Sequence, residues 1–149
     1  ESMVEAIKSL DTIKPFLGTW YIKWVTGEAP RVQANWQLLI GTGKRGALKP
    51  RLDDECYVCV GFAILDEKGK KVLSSEDGDR APLLLLFNHG TLRGFGFVDG
   101  RAVRVYISMS EAYLVDGSVV PNLYATTLWG DPDQVGVWGA DGTPPPEPC

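Results

Sequence analysis

The sequence contains one histidine, His89, among its 149 residues. That scarcity excludes a multi-histidine metal site, and any histidine-dependent nucleophile relay must use this one residue. His89 lies in "FNHGT", between two apolar segments, and reads as a solvent-facing turn residue. The serines Ser74, Ser75, Ser108, Ser110 and Ser118 lack the strand–turn–helix context of a nucleophile elbow. No P-loop and no dinucleotide fingerprint is present. "GTGKRG" is glycine-rich, but it follows an apolar strand without opening a helix, so it is not a phosphate cradle. The acidic clusters Asp53–Glu55 and Glu76–Asp79 read as solvated turns. Neither a cofactor nor a metal is expected.

Long apolar runs are missing too. The longest, Leu83–Phe87, has strand length, well short of the roughly 18 residues of a membrane span. Positive charge is in deficit: the net charge is −4 and the pI about 5.0. Nucleic acids and anionic membranes both need a cationic footprint, so neither is an expected partner. Lys44, Arg45, Lys49 and Arg51 do cluster, but "LDDE" follows at once and balances them. No secretory leader is visible, which favours a cytoplasmic location. The opening "ESM" is equally readable as a foreign remnant before Met3 or as a processed edge. Oligomeric state is not legible.

Cysteine is sparse: Cys56, Cys59 and Cys149. The first two have CxxC spacing, yet "ECYVCVGFAIL" reads as a strand. Residues three apart on a strand point to opposite faces, which suits neither a shared metal nor a mutual disulfide. They read as structural, reduced thiols. Cys149 ends a proline-rich tail over 140–149, and a disulfide from it to a barrel strand would require an oxidising compartment.

Helical periodicity is confined to the start of the chain. Ser2 and Glu5 form a capping-box pattern, and Val4, Ile7 and Leu10 recur at helical spacing. A helix is expected over 3–13, stopped by Pro15. Everything afterwards reads as β. Strands are expected at 18–26, 31–40, 55–65, 70–75, 83–88, 91–98, 102–109, 111–116, 122–130 and 134–139. "DEKGK", "VDGR" and "LVDGS" supply turn chemistry, with Gly69 where a positive φ is wanted. Short connections make sequential strands antiparallel neighbours. The longest connection, 41–55, has the length of a lid or mouth loop. The expected fold is therefore all-β: one domain over 1–149, an antiparallel up-and-down barrel of about 8–10 strands with a short N-terminal helix. Closure leaves no edge strands.

A short helix followed by Gly18-Thr19-Trp20 on the first strand resembles the N-terminal signature of the lipocalin and wider calycin group. The resemblance covers about ten residues and the strand pattern. It implies that Trp20 plugs the closed end of the barrel. It also implies an arginine across that ring, for which Arg104 is the first candidate and Arg93 the second. Avidin-like barrels also begin with Gly-Thr-Trp.

Period-two alternation then assigns faces. With Trp20 inward, Ile22 and Trp24 share its side, and Trp36 and Leu38 share an inward face. In "NLYATTLW" either Tyr124 or Trp129 has the inward parity, and Val137 against Trp138 stays equally open. "AVRVYIS" sends Val103, Val105 and Ile107 one way and Arg104, Tyr106 and Ser108 the other. Small residues beside inward tryptophans point to a cavity for a flat, apolar ligand, lined by Trp24, Trp36, Leu38, Phe95, Tyr106, Ser108, Tyr124 and Trp129. The leading function is binding of a small hydrophobic or aromatic molecule. The alternative is a cofactor-free cyclase or isomerase acting on a polyketide or terpenoid intermediate, as in some calycin-like barrels, with Tyr106, Arg104 and Tyr124 as hydrogen-bond donors. The third reading is a protein-interaction module whose barrel is filled.

Overall fold

The computed structural model describes residues 11–27, 32–41, 50–52, 58–75, 84–86, 90–98, 100–128 and 135–142. Eleven strands come after one short helical segment: β1 (Gly18–Gly27), β2 (Gln37–Ile40), β3 (Arg51–Leu52), β4 (Val58–Val60), β5 (Phe62–Leu65), β6 (Lys71–Ser74), β7 (Leu84–Leu86), β8 (Thr91–Val98), β9 (Arg101–Tyr113), β10 (Val119–Leu128) and β11 (Val135–Asp141). They make eight barrel strands, because three pairs are halves of one strand: β2 with β3, β4 with β5, and β6 with β7. Each barrel strand pairs antiparallel with its sequence neighbours, and β1 pairs with β11 to close the ring. This is the up-and-down closed barrel that the turn chemistry predicts.

The interruptions fall at one level. Gly61 separates β4 from β5, and the chain leaves β2 at Gly41 and β6 at Ser75. The Gly41 N–H donates to the Gly61 carbonyl at 3.1 Å, and the Ser75 N–H to the Phe62 carbonyl at 3.0 Å. The Ser75 hydroxyl also accepts from the Phe62 N–H at 3.0 Å. Val58 to Ile64 is buried on both faces, unlike the alternating strands around it.

At the lower end, Asp11–Ile13 is helical and passes into a 3-10 turn at Lys14–Phe16. Ile13 and Phe16 are buried there. The remainder of the expected helix, and the tail from 143, lie outside the described residues.

Several strand boundaries differ from expectation. β2 starts at Gln37 rather than 31, because Ala34 and Asn35 form a turn in which Asn35 takes a φ of 71°. β9 is one strand of 13 residues where the sequence reading breaks it near 110. The turn lies instead at Val115–Gly117, where Gly117 has a φ of 87°. Gly69 has the positive φ, 80°, expected of its turn.

Alternating side chains from every wall fill the interior. Ile22, Leu38, Ile40, Phe62, Ile64, Leu92, Val105, Ile107, Leu123 and Trp138 are all 0% exposed. Burial of each such large side chain contributes roughly 1.5–3 kcal/mol. Gly96 lets this core close: a Cβ there would lie 2.7 Å from Leu73 Cδ1 and 2.8 Å from Phe62 Cζ.

Candidate functional site

The barrel interior is the first place to look for a site. Side chains at 0% exposure are out of reach of a water-sized sphere, so those that fill the core line no water-sized cavity. An eight-stranded barrel can hold side chains or one small ligand, and over its described residues this one is filled with side chains.

Among the described residues, one buried polar side-chain atom has no partner. Trp138 points inward from β11, opposite Ala125 on β10 and Val25 on β1. Its indole Nε1 is buried with no acceptor. Trp20, which is also inward, is satisfied: its Nε1 donates to the Phe16 carbonyl at 2.8 Å. Trp20 is buried at the lower end, beside the helical segment.

Most residues expected to line a cavity sit elsewhere. Trp24 is 40% exposed and faces outward. The cause is a β-bulge. β1 uses three residues, Ile22 to Trp24, where β11 uses two, Ala140 and Gly139. One extra residue reverses the parity of every later position on the strand. Phe95 and Tyr124 are also outward, 45% and 46% exposed. Ser108 and Tyr106 share the outer face of β9 and are half-buried, and Ser108 Oγ lies 3.2 Å from Thr91 Oγ1. Trp36 is at the upper rim, half-buried, and its Nε1 donates to Glu67 Oε2 at 2.7 Å. Leu38 is inward and part of the core. Trp129 lies outside the described residues, as do His89, Cys56 and Cys149.

Arg104 does not cover Trp20. It is exposed on the outer face near the upper end of β9, opposite Phe95 and Leu128, whereas Trp20 is inward near the lower end of β1. The valines and Ile107 of the same strand take the interior, as apolar burial requires. Among the described residues it is Arg93 that lies over a ring: its guanidinium carbon is 5.4 Å from the Tyr106 ring centroid, on the outside. Tyr106, Arg104 and Tyr124 thus share an outer face, and among the described residues none encloses a substrate there.

The outer face of β1, β11, β10, β9 and β8 therefore carries the aromatic set. Trp24 and Tyr124 flank Gly139, with ring centroids 5.9 Å apart. Arg93, Phe95, Arg104 and Tyr106 continue the face upward. Alternation alone does not locate this surface, because the deciding bulge leaves no mark in the sequence. At the lower end, Trp20, Val120, Pro121, Asp141 and Gly142 line a cleft of about 160 Å³. That is below the roughly 300 Å³ at which small-molecule pockets begin. Cys59 is buried and free of any disulfide. Among the described residues no three His, Cys, Asp or Glu side chains cluster.

Comparison with protein-family models, with curated proteins and with solved structures finds no match to this chain. The likeness to lipocalins thus consists of the Gly-Thr-Trp segment and the closed barrel.

Proposed function

We propose that this chain is a filled barrel that works through its outer surface, as a protein-interaction module. The carrying observation is the distribution of its aromatics. The described inward side chains are buried, while Trp24, Phe95 and Tyr124 keep 40–46% of their area in water. Exposed aromatic clusters of this kind are enriched where proteins meet. The test is tryptophan fluorescence during titration with a panel of apolar and aromatic small molecules, with mass analysis of each mixture. The expected result is no saturable change and no conversion. Saturable quenching that persists in Trp24→Phe would place a ligand inside and overturn this reading.

A second reading has one specific support. The unpartnered indole N–H of Trp138 is a donor in an apolar interior. Leaving such a group unmet costs about 1–3 kcal/mol. A small apolar molecule carrying a carbonyl or ether oxygen would meet it, at the cost of displacing core side chains. Quenching that is lost in Trp138→Phe would favour this reading.

A further inference from the structure

β11 ends before its neighbours do. It pairs with β1 only as far as Asp141 opposite Tyr21, and with β10 only as far as Asp141 opposite Asn122. Below that level β1 continues through Trp20 and Thr19 to Gly18, and β10 through Pro121 and Val120 to Val119. Among the described residues, neither of these edges has a partner on the β11 side. The two strands flank β11, so they stand two strand spacings apart, roughly 9–10 Å. Over the described residues the barrel wall thus has a slot one strand wide and about 10 Å long.

This slot is the lower-end cleft of about 160 Å³. Trp20 forms one wall, Val120 and Pro121 the other, and Asp141 and Gly142 its head. The polar groups of two of these side chains are already engaged: Trp20 Nε1 by the Phe16 carbonyl, and Asp141 Oδ1 by Lys23 Nζ at 3.6 Å. The space is too small for an ordinary small-molecule pocket and suits apolar side chains.

The chain itself leads into the slot. Gly142 is a bend at the head of the cleft, and the next residues are Thr143, Pro144, Pro145, Pro146, Glu147, Pro148 and Cys149. A strand cannot pair on both sides through three consecutive prolines, because they have no N–H to donate. The same lack suits an apolar cleft, since a proline enters it without leaving an N–H unmet. Polyproline II, the conformation that consecutive prolines favour, advances about 3.1 Å per residue. Pro144, Pro145 and Pro146 then cover about 6–12 Å beyond Gly142, which matches the length of the slot. Segments of this kind dock against aromatic walls, and Trp20 supplies one.

We propose that Pro144, Pro145 and Pro146 fill the slot of their own chain and complete the barrel wall over Trp20. The contact goes beyond the outer-surface reading and is independent of it, because Trp24, Phe95 and Tyr124 take no part.

The test is NMR on the intact chain. The expected result is nuclear Overhauser contacts from the ring protons of the three prolines to the Trp20 indole, unchanged on tenfold dilution. In a chain ending at Gly142, the Trp20 indole N–H should exchange with solvent about tenfold faster or more, while that of Trp138 is unchanged. A peptide of residues 143–149 carrying Cys149→Ser should restore the slow exchange saturably. The same peptide with all three prolines replaced by alanine should not. If the shortened chain fails to fold, Val120→Trp in the intact chain decides instead: its ring occupies the slot and should abolish the contacts from the prolines without changing the circular dichroism. Contacts to Trp20 from residues 1–10 in place of the prolines overturn the proposal, as does the absence of any proline contact. Contacts that vanish on dilution place the tail of a second copy there and overturn it too. So does exchange at Trp20 that is indifferent to the truncation, or proline contacts that survive Val120→Trp.

Discussion

Trp24 covers Gly139 on the outside of the barrel, and its ring meets Tyr124 on the next strand but one. A Cβ at Gly139 would come within 2.6 Å of Trp24 Cε2. The glycine is there because the indole occupies the space a side chain would take. Gly139→Ala is expected to push Trp24 off the sheet and break its contact with Tyr124, at a cost of about 1 kcal/mol. Thermal unfolding measures the cost, and a red-shifted Trp24 emission reports the displaced ring.

Gly96 makes the same kind of space on the inside, and there the consequence is larger. Leu73 and Phe62 are enclosed by the core and have nowhere to swing. Gly96→Ala is expected to cost about 1–3 kcal/mol through overpacking. Adding Leu73→Val removes the atom nearest the new methyl, so the double variant should be more stable than the sum of the singles implies. Urea denaturation of the four proteins closes the cycle. Strict additivity would show that Leu73 does not limit the site.

The contrast between these glycines explains what was legible in the sequence. The barrel was, because Gly69, Gly117 and the short turns leave sequential strands no choice but to pair. The inward set on β9 was as well, since Val103, Val105 and Ile107 alternate without interruption. The outward position of Trp24 was not: face assignment counts residues from Trp20, and the bulge at Ile22–Trp24 inserts one uncounted residue. Trp36 packs against the core, as its shared parity with Leu38 predicts, but its height in the barrel was not legible. The turn at Asn35 starts β2 late and leaves Trp36 at the rim, bonded to Glu67. Tyr124 had even odds until its neighbours Leu123 and Ala125 took the interior.

The turn between β9 and β10 has its own pH dependence. Asp116 Oδ1 accepts from the Ser118 hydroxyl at 2.6 Å and from the Ser118 N–H at 2.8 Å. Both bonds favour the carboxylate, the hydroxyl most, and hold its pKa below the ordinary aspartate value of 3.8. A lowered folded-state pKa means that this contribution is complete above the unfolded value and is lost as the pH falls through the folded one. Acid, and not alkali, should loosen the turn. Carboxyl titration by NMR should give Asp116 a midpoint below that of an unstructured aspartate, and Ser118→Ala should raise it.

Trp20 and Trp138, both inward, predict different answers to one substitution. Tryptophan to phenylalanine removes the indole N–H and similar volume at either site. At Trp20 it also removes the bond to the Phe16 carbonyl and leaves that oxygen unmet at the buried lower end. At Trp138 it removes a donor that already has no acceptor. A lost hydrogen bond is worth about 1 kcal/mol, and an unsatisfied buried group about 1–3 kcal/mol. Trp20→Phe should therefore be the more destabilising of the two by about 2 kcal/mol in chemical denaturation. Equal losses would mean that the Trp138 N–H finds an acceptor in solution, and the support that this atom lends to an internal ligand would go with it.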